Sequence, residues 1–180
     1  MADAPDLVWR VADRRDIPAL SILMDAAIAQ LQRGFLDDAQ IAASRAIMGL
    51  DTQLVEDGTY FVVESGGVLA GCGGWSRRAT LYGGDHSPGR EPALLDPEMD
   101  AARVRAMYTA PAFARRGVGR LILSLCEEAA GAEGFKRLEL VSTLAGQPLY
   151  AAGGYTPIEA FEDPRGGAPV PLVRMGKALP

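Results

Sequence analysis

The chain has 180 residues, of which 48% are hydrophobic and 23% are charged, and its formal net charge is −5. This length suits one domain with a substantial core, and the apolar content excludes intrinsic disorder. The negative charge argues against nonspecific binding to nucleic acid or to an anionic membrane. We therefore expect a single domain over residues 1–180.

We expect no targeting signal in the first residues. Residues 1–6 contain neither a basic residue nor an apolar run, so no secretory signal peptide is predicted. No apolar stretch approaches the roughly 20 residues that a membrane-spanning helix needs. These features predict a cytoplasmic protein that does not bind membranes.

Two helices are predicted in the first third of the chain. Asp16 is placed to cap the first helix, with Pro18 in its first turn and Gly34 at its end. Its buried stripe is predicted to contain Leu20, Met24, Ala27, Ile28 and Leu31. A second helix is predicted over residues 38–48.

The middle and the end of the chain each hold an irregular segment. Residues 76–100 are rich in glycine and proline and predict a long loop. Residues 162–171 contain three prolines and two glycines and predict a long connection before a last strand. The first loop also contains several apolar residues, which are too many for a purely solvated linker.

The most informative segment lies between these two loops. An extended segment, residues 104–109, meets Pro111 and then a turn that contains Gly117 and Gly119. Apolar residues then recur at helical spacing, at Val118, Leu121, Ile122, Leu125, Cys126 and Ala129. Glycines at the start of a helix let backbone N–H groups converge at the positive end of the helix dipole. The segment therefore predicts a phosphate site.

Three kinds of phosphate site can be compared. A nucleotide P-loop needs Gly-Lys-Ser or Gly-Lys-Thr, and neither occurs in the chain. A dinucleotide site needs a third glycine where Ile122 stands. The third kind is a coenzyme A pyrophosphate loop, and the alternative to all three is a glycine-assisted helix start that binds no ligand. The strand, Pro111, the turn and the helix resemble the acyl-CoA signature of the GNAT superfamily of N-acetyltransferases.

The resemblance covers nearly the whole chain. Segments that resemble the strands and helices of the family, in the right order, are residues 9–13, 16–20, 60–64, 68–75, 138–142, 148–155 and 172–177. The resemblance implies an α/β (α+β) fold, with a mixed twisted sheet of six to seven strands flanked by about four helices. One departure is Ala114, where the family often has Arg or Gln.

The resemblance also implies the site residues. Those expected to contact the coenzyme are Met107, Tyr108, Thr109, Arg115, Arg116, Gly117, Val118, Gly119, Arg120 and Thr143. The three arginines are expected to supply the charge that Ala114 lacks. Thr143 and Leu144 stand where some members have an asparagine. Backbone N–H at Tyr108 or Thr109 is expected to hold the thioester carbonyl.

Tyr150 matches the tyrosine of the family's short helix after the fifth strand. A tyrosine suits a proton donor to the thiolate leaving group, because its pKa near 10 lies above that of a thiol. The alternative is a core tyrosine that packs over the sheet. The general base is left open among Glu64, Asp85, Asp96, Asp100 and a bound water.

The function implied is transfer of the acetyl group of acetyl-CoA to a primary amine of a small molecule or an exposed amino group. The reaction would be direct attack in a ternary complex. The alternative is a noncatalytic acyl-CoA-binding sensor or regulatory module. Residues 76–100 are predicted to select the acceptor; their alternative role is a surface loop or a homodimer contact.

No metal is expected. Cys72 and Cys126 lie 54 positions apart, which is no ligand spacing, and both are interpreted as buried, inert thiols. The single histidine, His86, is interpreted as an exposed loop residue.

Overall fold

The computed structural model describes residues 6–180. The strands, in chain order, are β1 (Leu7–Val11), β2 (Tyr60–Ser65), β3 (Val68–Ser76), β4 (Ala102–Thr109), β5 (Arg137–Thr143), β6 (Thr156–Asp163) and β7 (Val170–Ala178). The helices are α1 (Ile17–Leu31), α2 (Asp38–Ser44), α3 (Thr52–Glu56), α4 (Val118–Ala132) and α5 (Gln147–Ala152). The signal-peptide prediction rests mainly on residues 1–5, which lie outside the described residues. Between residues 6 and 180, no helix combines the length and the apolar character that crossing a membrane requires.

All seven strands form one sheet, in the order β1-β2-β3-β4-β5-β7-β6. Neighbouring strands are antiparallel except β4 and β5, which are parallel. β4 and β5 pair only at their first residues, Ala102 with Leu138 and Arg103 with Glu139. Beyond these pairs the two strands diverge and open a gap in the middle of the sheet. The mixed seven-stranded sheet with helices confirms the predicted fold class.

The helices cover the two faces of this sheet. α4 and α5 pack on one face, where Ile122, Cys126 and Tyr150 join a core with Val104 and Leu138. The other face is covered by α1, α2 and α3, and its two clusters are centred on residues such as Leu20, Met24, Tyr108, Ile47 and Leu172. The gap between β4 and β5 therefore connects two separately packed faces.

The first helix has the predicted extent, but its predicted cap is wrong. Asp16 makes no side-chain bond to the start of α1. Its carboxylate instead accepts from the backbone N–H of Asp13, which closes a short 3₁₀ turn over Arg14–Asp16, and it also pairs with Arg10. Leu31 is half-buried rather than buried, because it lies beside a cleft.

The second helix is shorter than predicted and ends at Ser44. After Ser44 the backbone bonds tighten to three-residue spacing, for example from Ile47 N–H to the Ser44 carbonyl. The carbonyls of Arg45 and Ala46 are bonded by the side chains of His86 and Ser87 in the long loop. Contacts from a distant segment thus replace the last turn of the helix.

Two elements were not predicted from the sequence. α3 begins after Asp51, whose carboxylate accepts from Gln53 N–H. β6 forms a hairpin with β7 over Asp163↔Val170 to Thr156↔Gly176, so the irregular connection is shorter than predicted. Pro157 and the exposed residues of this edge strand hide its pattern in the sequence.

Candidate functional site

A cleft of about 680 Å³ passes through the gap between β4 and β5. On the α4/α5 face its walls are the turn before α4 and the segment from Thr143 to α5. On the other face its walls come from the end of α1, residues 47–49, residues 81–83 and Leu172. β4 runs between the two ends of the cleft. Molecules that enter from opposite faces can therefore meet at β4.

The start of α4 forms one end of the cleft. Arg115 and Gly117 both have left-handed backbone conformations, with φ of 61° and 88°. Right-handed and left-handed residues in succession turn backbone N–H groups toward one point and make a concave anion site. The first four N–H groups of a helix also have no partner within it, and α4 begins at Val118. This end of the cleft is built to hold an anion.

The two glycines of this turn serve different purposes. Gly117 needs its φ of 88°, and a Cβ there would meet nothing within 4 Å. Gly119 has an ordinary φ, but a Cβ would lie 2.8 Å from Cδ2 of Leu149 in α5. Gly117 is therefore required by conformation, whereas Gly119 keeps the mouth of the cleft open beside α5.

A bulge in β4 faces the gap. The register between β3 and β4 shifts between the pairs Cys72↔Tyr108 and Gly74↔Arg105, which leaves one extra residue in β4. Ala106 lies in the bulge and accommodates the extra residue through a left-handed φ of 50°. Its carbonyl accepts from the Tyr60 hydroxyl at 2.7 Å. Because β5 has diverged, backbone N–H groups that β4 turns toward the gap have no strand partner. They are available to a carbonyl or an oxyanion.

Tyr150 is buried in α5, and its side chain lines the cleft. Burial, with smaller contributions from nearby Cys126 and Tyr108, raises the pKa of Tyr150 above its ordinary value of 10.0. The phenol therefore stays protonated at neutral pH. It can donate a hydrogen bond, or a proton, to a negatively charged sulfur that forms beside it, and it is not suited to acting as a base itself.

Ten of the eleven residues predicted for the site line this one cleft; they are Met107, Tyr108, Thr109, Arg115, Gly117, Val118, Gly119, Arg120, Thr143 and Tyr150. Arg116 does not line it and lies over the ring of Phe113, 5.7 Å from its centroid. The Thr143 hydroxyl accepts from Gly146 N–H at 3.2 Å and so shapes the turn into α5. The Tyr108 hydroxyl accepts from Gly49 N–H at 2.8 Å.

The four carboxylates considered as a general base lie outside the lining of the cleft. Glu64 pairs with Arg10, and Asp85 accepts from Thr52 N–H at 3.0 Å. The Asp100 carboxylate accepts from Asp96 N–H at 2.8 Å, and the Asp96 carboxylate accepts from Glu98 N–H at 2.9 Å. Each carboxylate therefore has a local structural partner.

Sequence reasoning missed the residues that build the bulge and the far wall. A Cβ at Gly73 would lie 2.5 Å from Met107 Sδ, so the glycines of β3 are the signal for the close approach of β4. Gln32, Met48 and Arg105 also line the cleft. They come from the residue after α1, a loop and strand β4, and no spacing in the sequence indicates that they meet.

Both cysteines are buried and free, as predicted. Burial raises the pKa of Cys72 to about 12, so its thiol is inert at neutral pH. His86 is bonded to the Arg45 carbonyl through Nε2, at 2.6 Å. Residues 6–180 contain no group of three or more His, Cys, Asp or Glu side chains placed to hold a metal ion.

Comparison with solved structures shows the same fold in other proteins. A GCN5-related N-acetyltransferase from Rhodopseudomonas palustris superposes with a TM-score of 0.73 at 19% identity, over 99% of this chain and 98% of that one. The PaiA N-acetyltransferase from Thermoplasma acidophilum, in complex with coenzyme A, gives 0.66 at 13% identity, over 96% and 99%. YncA from Salmonella typhimurium, a putative acetyltransferase with acetyl-CoA, gives 0.63 at 20% identity, over 97% and 95%.

Comparison of the sequence alone gives a family. No curated protein matches the chain. The model of the acetyltransferase (GNAT) family matches residues 21–155, which include most of α1, the bulged strand β4, the turn before α4, and Tyr150. The chain therefore belongs to the GNAT family of acetyltransferases.

Proposed function

We propose that this protein transfers the acetyl group of acetyl-CoA to a primary amine of a small molecule or to an exposed amino group. The observation that carries the proposal is the cleft that passes through the sheet between β4 and β5. It lets two substrates reach β4 from opposite faces. Direct transfer in a ternary complex needs that arrangement, because the reacting atoms must be held together and aligned.

The coenzyme is assigned to the α4/α5 face. Its pyrophosphate would bind the N–H groups of residues 117–120, with Arg115 and Arg120 beside it. Its pantetheine arm would lie between β4 and β5, between Met107 and Thr143. Two proteins with the same fold, from Thermoplasma acidophilum and Salmonella typhimurium, were solved with coenzyme A and with acetyl-CoA, which supports the choice of coenzyme A as the ligand.

The chemistry follows from these positions. The thioester carbonyl would accept from backbone N–H at Tyr108 or Thr109, and the neutral amine would attack its carbon to form the C–N bond. The C–S bond then breaks with its electron pair on sulfur, and the Tyr150 hydroxyl gives that sulfur a proton. The extra proton on the new amide nitrogen leaves through water and restores Tyr150. The products are an N-acetyl amide and free coenzyme A.

Measurement of free coenzyme A release across a panel of amines and peptides tests the proposal, with calorimetry of acetyl-CoA binding alongside. We expect binding, and release that depends on the amine. Binding without release for any amine would instead favour an acyl-CoA sensor. The single domain over residues 1–180, the cytoplasmic location and a homodimer stay predictions.

A further inference from the structure

We propose that the acceptor is a primary amine on an apolar body and that it binds as the neutral free base. The inference rests on the proposed acetyl transfer and concerns the part of the cleft on the α1/α2 face. We call this part the acceptor chamber. Its walls are the end of α1, Phe35, residues 47–49, residues 81–83, Val141 and Leu172.

The side chains of the acceptor chamber are mostly apolar. They come from segments far apart in the chain and include Ile28, Leu31, Phe35, Ile47, Leu81 and Leu172. Phe35 is 51% exposed, although it lies on the wall of the chamber. An aromatic or branched aliphatic body would remove this apolar surface from water, whereas a polyamine would not. The lining therefore favours an apolar acceptor.

The charged side chain in this wall is already neutralised. Arg105 is buried, and its Nη2 bonds the Asp51 carboxylate at 2.8 Å and the Gly83 carbonyl at 2.6 Å. Asp51, with a side chain that is 1% exposed, is held a second time by Arg90 at 2.9 Å. This buried cluster leaves no carboxylate oxygen turned to the chamber that could pair with a substrate ammonium.

The other titratable side chains that line the acceptor chamber are tyrosines. Asp25, Arg45 and His86 line an adjoining pocket instead, where Arg45 pairs with Asp25 at 2.8 Å. Tyr82 donates its hydroxyl to Asp163 at 2.8 Å, and Asp163 is in turn held by Arg165. Tyr108 accepts from Gly49 N–H, and Tyr150 stays protonated because burial raises its pKa. The elements α1, β5 and β7 contribute uncharged side chains to this wall.

One polar atom in this wall has no partner. Gln32 Nε2 donates to Ser44 Oγ at 3.0 Å, and Ser44 Oγ donates its own hydrogen to the Ile41 carbonyl. The Ser44 oxygen can therefore only accept from Gln32, which fixes the orientation of the amide. Gln32 Oε1 is then left buried and unpaired within the part of the chain that the structure describes. An amine N–H would supply the bond that it lacks.

These contacts decide the protonation state of the bound amine. An alkylamine has a pKa near 10.4 in water, so about one molecule in a few thousand is neutral at pH 7. Moving an ammonium into the acceptor chamber removes its hydration without supplying a paired carboxylate, which disfavours the charged form. The amine therefore loses its proton to solvent before it binds. No protein side chain is needed to take that proton.

The test compares 2-phenylethylamine with its β,β-difluoro analogue, which has nearly the same shape and a much less basic nitrogen. The measurement is kcat/KM for the amine as a function of pH, with saturating acetyl-CoA. Below its inflection each profile should rise about tenfold per pH unit. Each inflection should fall at the solution pKa of that amine, because kcat/KM reports the free enzyme and the free substrate. An inflection at one common pH for both amines would overturn the inference, since a protein group would then take the proton.

A polar amine of similar basicity tests the apolar body. Ethanolamine should give a kcat/KM at least about tenfold below that of 2-phenylethylamine. Equal values, or a preference for ethanolamine, would contradict the assignment.

The outcomes also separate this inference from the proposed function. If no amine releases coenzyme A although acetyl-CoA binds, the proposed function itself fails. If coenzyme A is released with a common inflection, only this further inference fails.

A variant pair tests Gln32. Gln32→Glu places a carboxylate in the acceptor chamber and should shift the ratio of kcat/KM values toward the more basic amine by at least about tenfold. Ser44→Ala is the control, because it removes the same bond to Gln32 Nε2 without adding charge, and it should leave the ratio unchanged. A ratio measured within one variant is independent of how much enzyme is folded. An unchanged ratio in Gln32→Glu would show that this side chain does not face the amine.

Discussion

At the scale of single residues, Gly117 just before α4 and Gly119 in its first turn have different roles in the proposed phosphate site. Gly117 supplies a left-handed conformation, and Gly119 supplies space beside Leu149. The φ of Gly117 would strain any other residue by about 1–3 kcal/mol, so variants there mix strain with lost binding. Gly119 is therefore the better position for testing coenzyme binding.

We expect Gly119→Asp to fold and to lose acetyl-CoA binding, because its carboxylate would face the pyrophosphate at the start of α4. Gly119→Asn is the matched control, since it displaces Leu149 to the same extent without adding charge. Calorimetry should show the Asp variant binding at least about tenfold more weakly than the Asn variant. If Gly119→Asp binds acetyl-CoA with wild-type affinity, the pyrophosphate does not bind at this turn.

Tyr150→Phe should lower kcat by about 10²–10⁴-fold and leave acetyl-CoA affinity nearly unchanged, because the hydroxyl would act only as the thiolate is formed. Tyr155→Phe is the control. Tyr155 packs edge-on against Tyr150, with ring centroids 6.1 Å apart, but it does not line the cleft. Steady-state kinetics should show kcat changed only in the first variant. An equal kcat in wild type and Tyr150→Phe, with chemistry rate-limiting, would assign Tyr150 to packing.

At the scale of elements, the long loop of residues 77–101 is firmly held. Arg105 bonds the carbonyls of Thr80 and Gly83, and Arg78 bonds Asp57 at 2.7 Å. Only residues 81–83 of this loop line the cleft. Shortening the loop would strip partners from the buried Arg105 and Asp51, so a point variant is the clearer test of acceptor selection.

Leu81→Ala should widen the acceptor chamber, raising KM for a small apolar amine and improving the relative rate with a bulkier one. Leu94→Ala is the control in the same loop, because Leu94 is 67% exposed and lies outside the cleft. Acetyl-CoA affinity should be unchanged in both. The same acceptor profile in Leu81→Ala and wild type would show that this loop does not select the acceptor.

A clamp joins the loop to the β6–β7 hairpin through Asp163. Hydrogen bonds from Arg165, opposed by burial, lower the pKa of Asp163 to about 2. A carboxyl with a lowered folded-state pKa stabilises the fold above its unfolded pKa near 3.9, and this stabilisation is lost as pH falls toward 2. Asp163→Asn should therefore lower the free energy of unfolding by about 2 kcal/mol at pH 7.

Urea denaturation measures this difference, and Glu162→Gln, an exposed neighbour, is the control. The difference in free energy of unfolding between wild type and Asp163→Asn should disappear as pH falls from about 4 to about 2. If this difference in free energy stays the same across that pH range, the contact between Tyr82, Asp163 and Arg165 does not depend on the ionised carboxylate.

At the scale of the whole molecule, the features predicted best are those whose residues lie close together in the sequence. The turn with Gly117 and Gly119 and the helix behind it carry their own signal, and the short helix with Tyr150 was implied by the family resemblance; the structure has all three. What depends on distant contacts was missed. The tightened end of α2 depends on His86 and Ser87, and the orphaned oxygen of Gln32 depends on Ser44. Sequence spacing does not report these contacts.

The proposed function depends most on where acetyl-CoA binds, and a crystal structure of the complex measures that directly. We predict pyrophosphate oxygens within hydrogen-bonding distance of the N–H groups of residues 117–120. We also predict the pantetheine arm between β4 and β5, with the thioester beside Tyr108 and Tyr150. Acetyl-CoA bound outside this gap, or a gap that stays empty at saturating acetyl-CoA, would contradict the account.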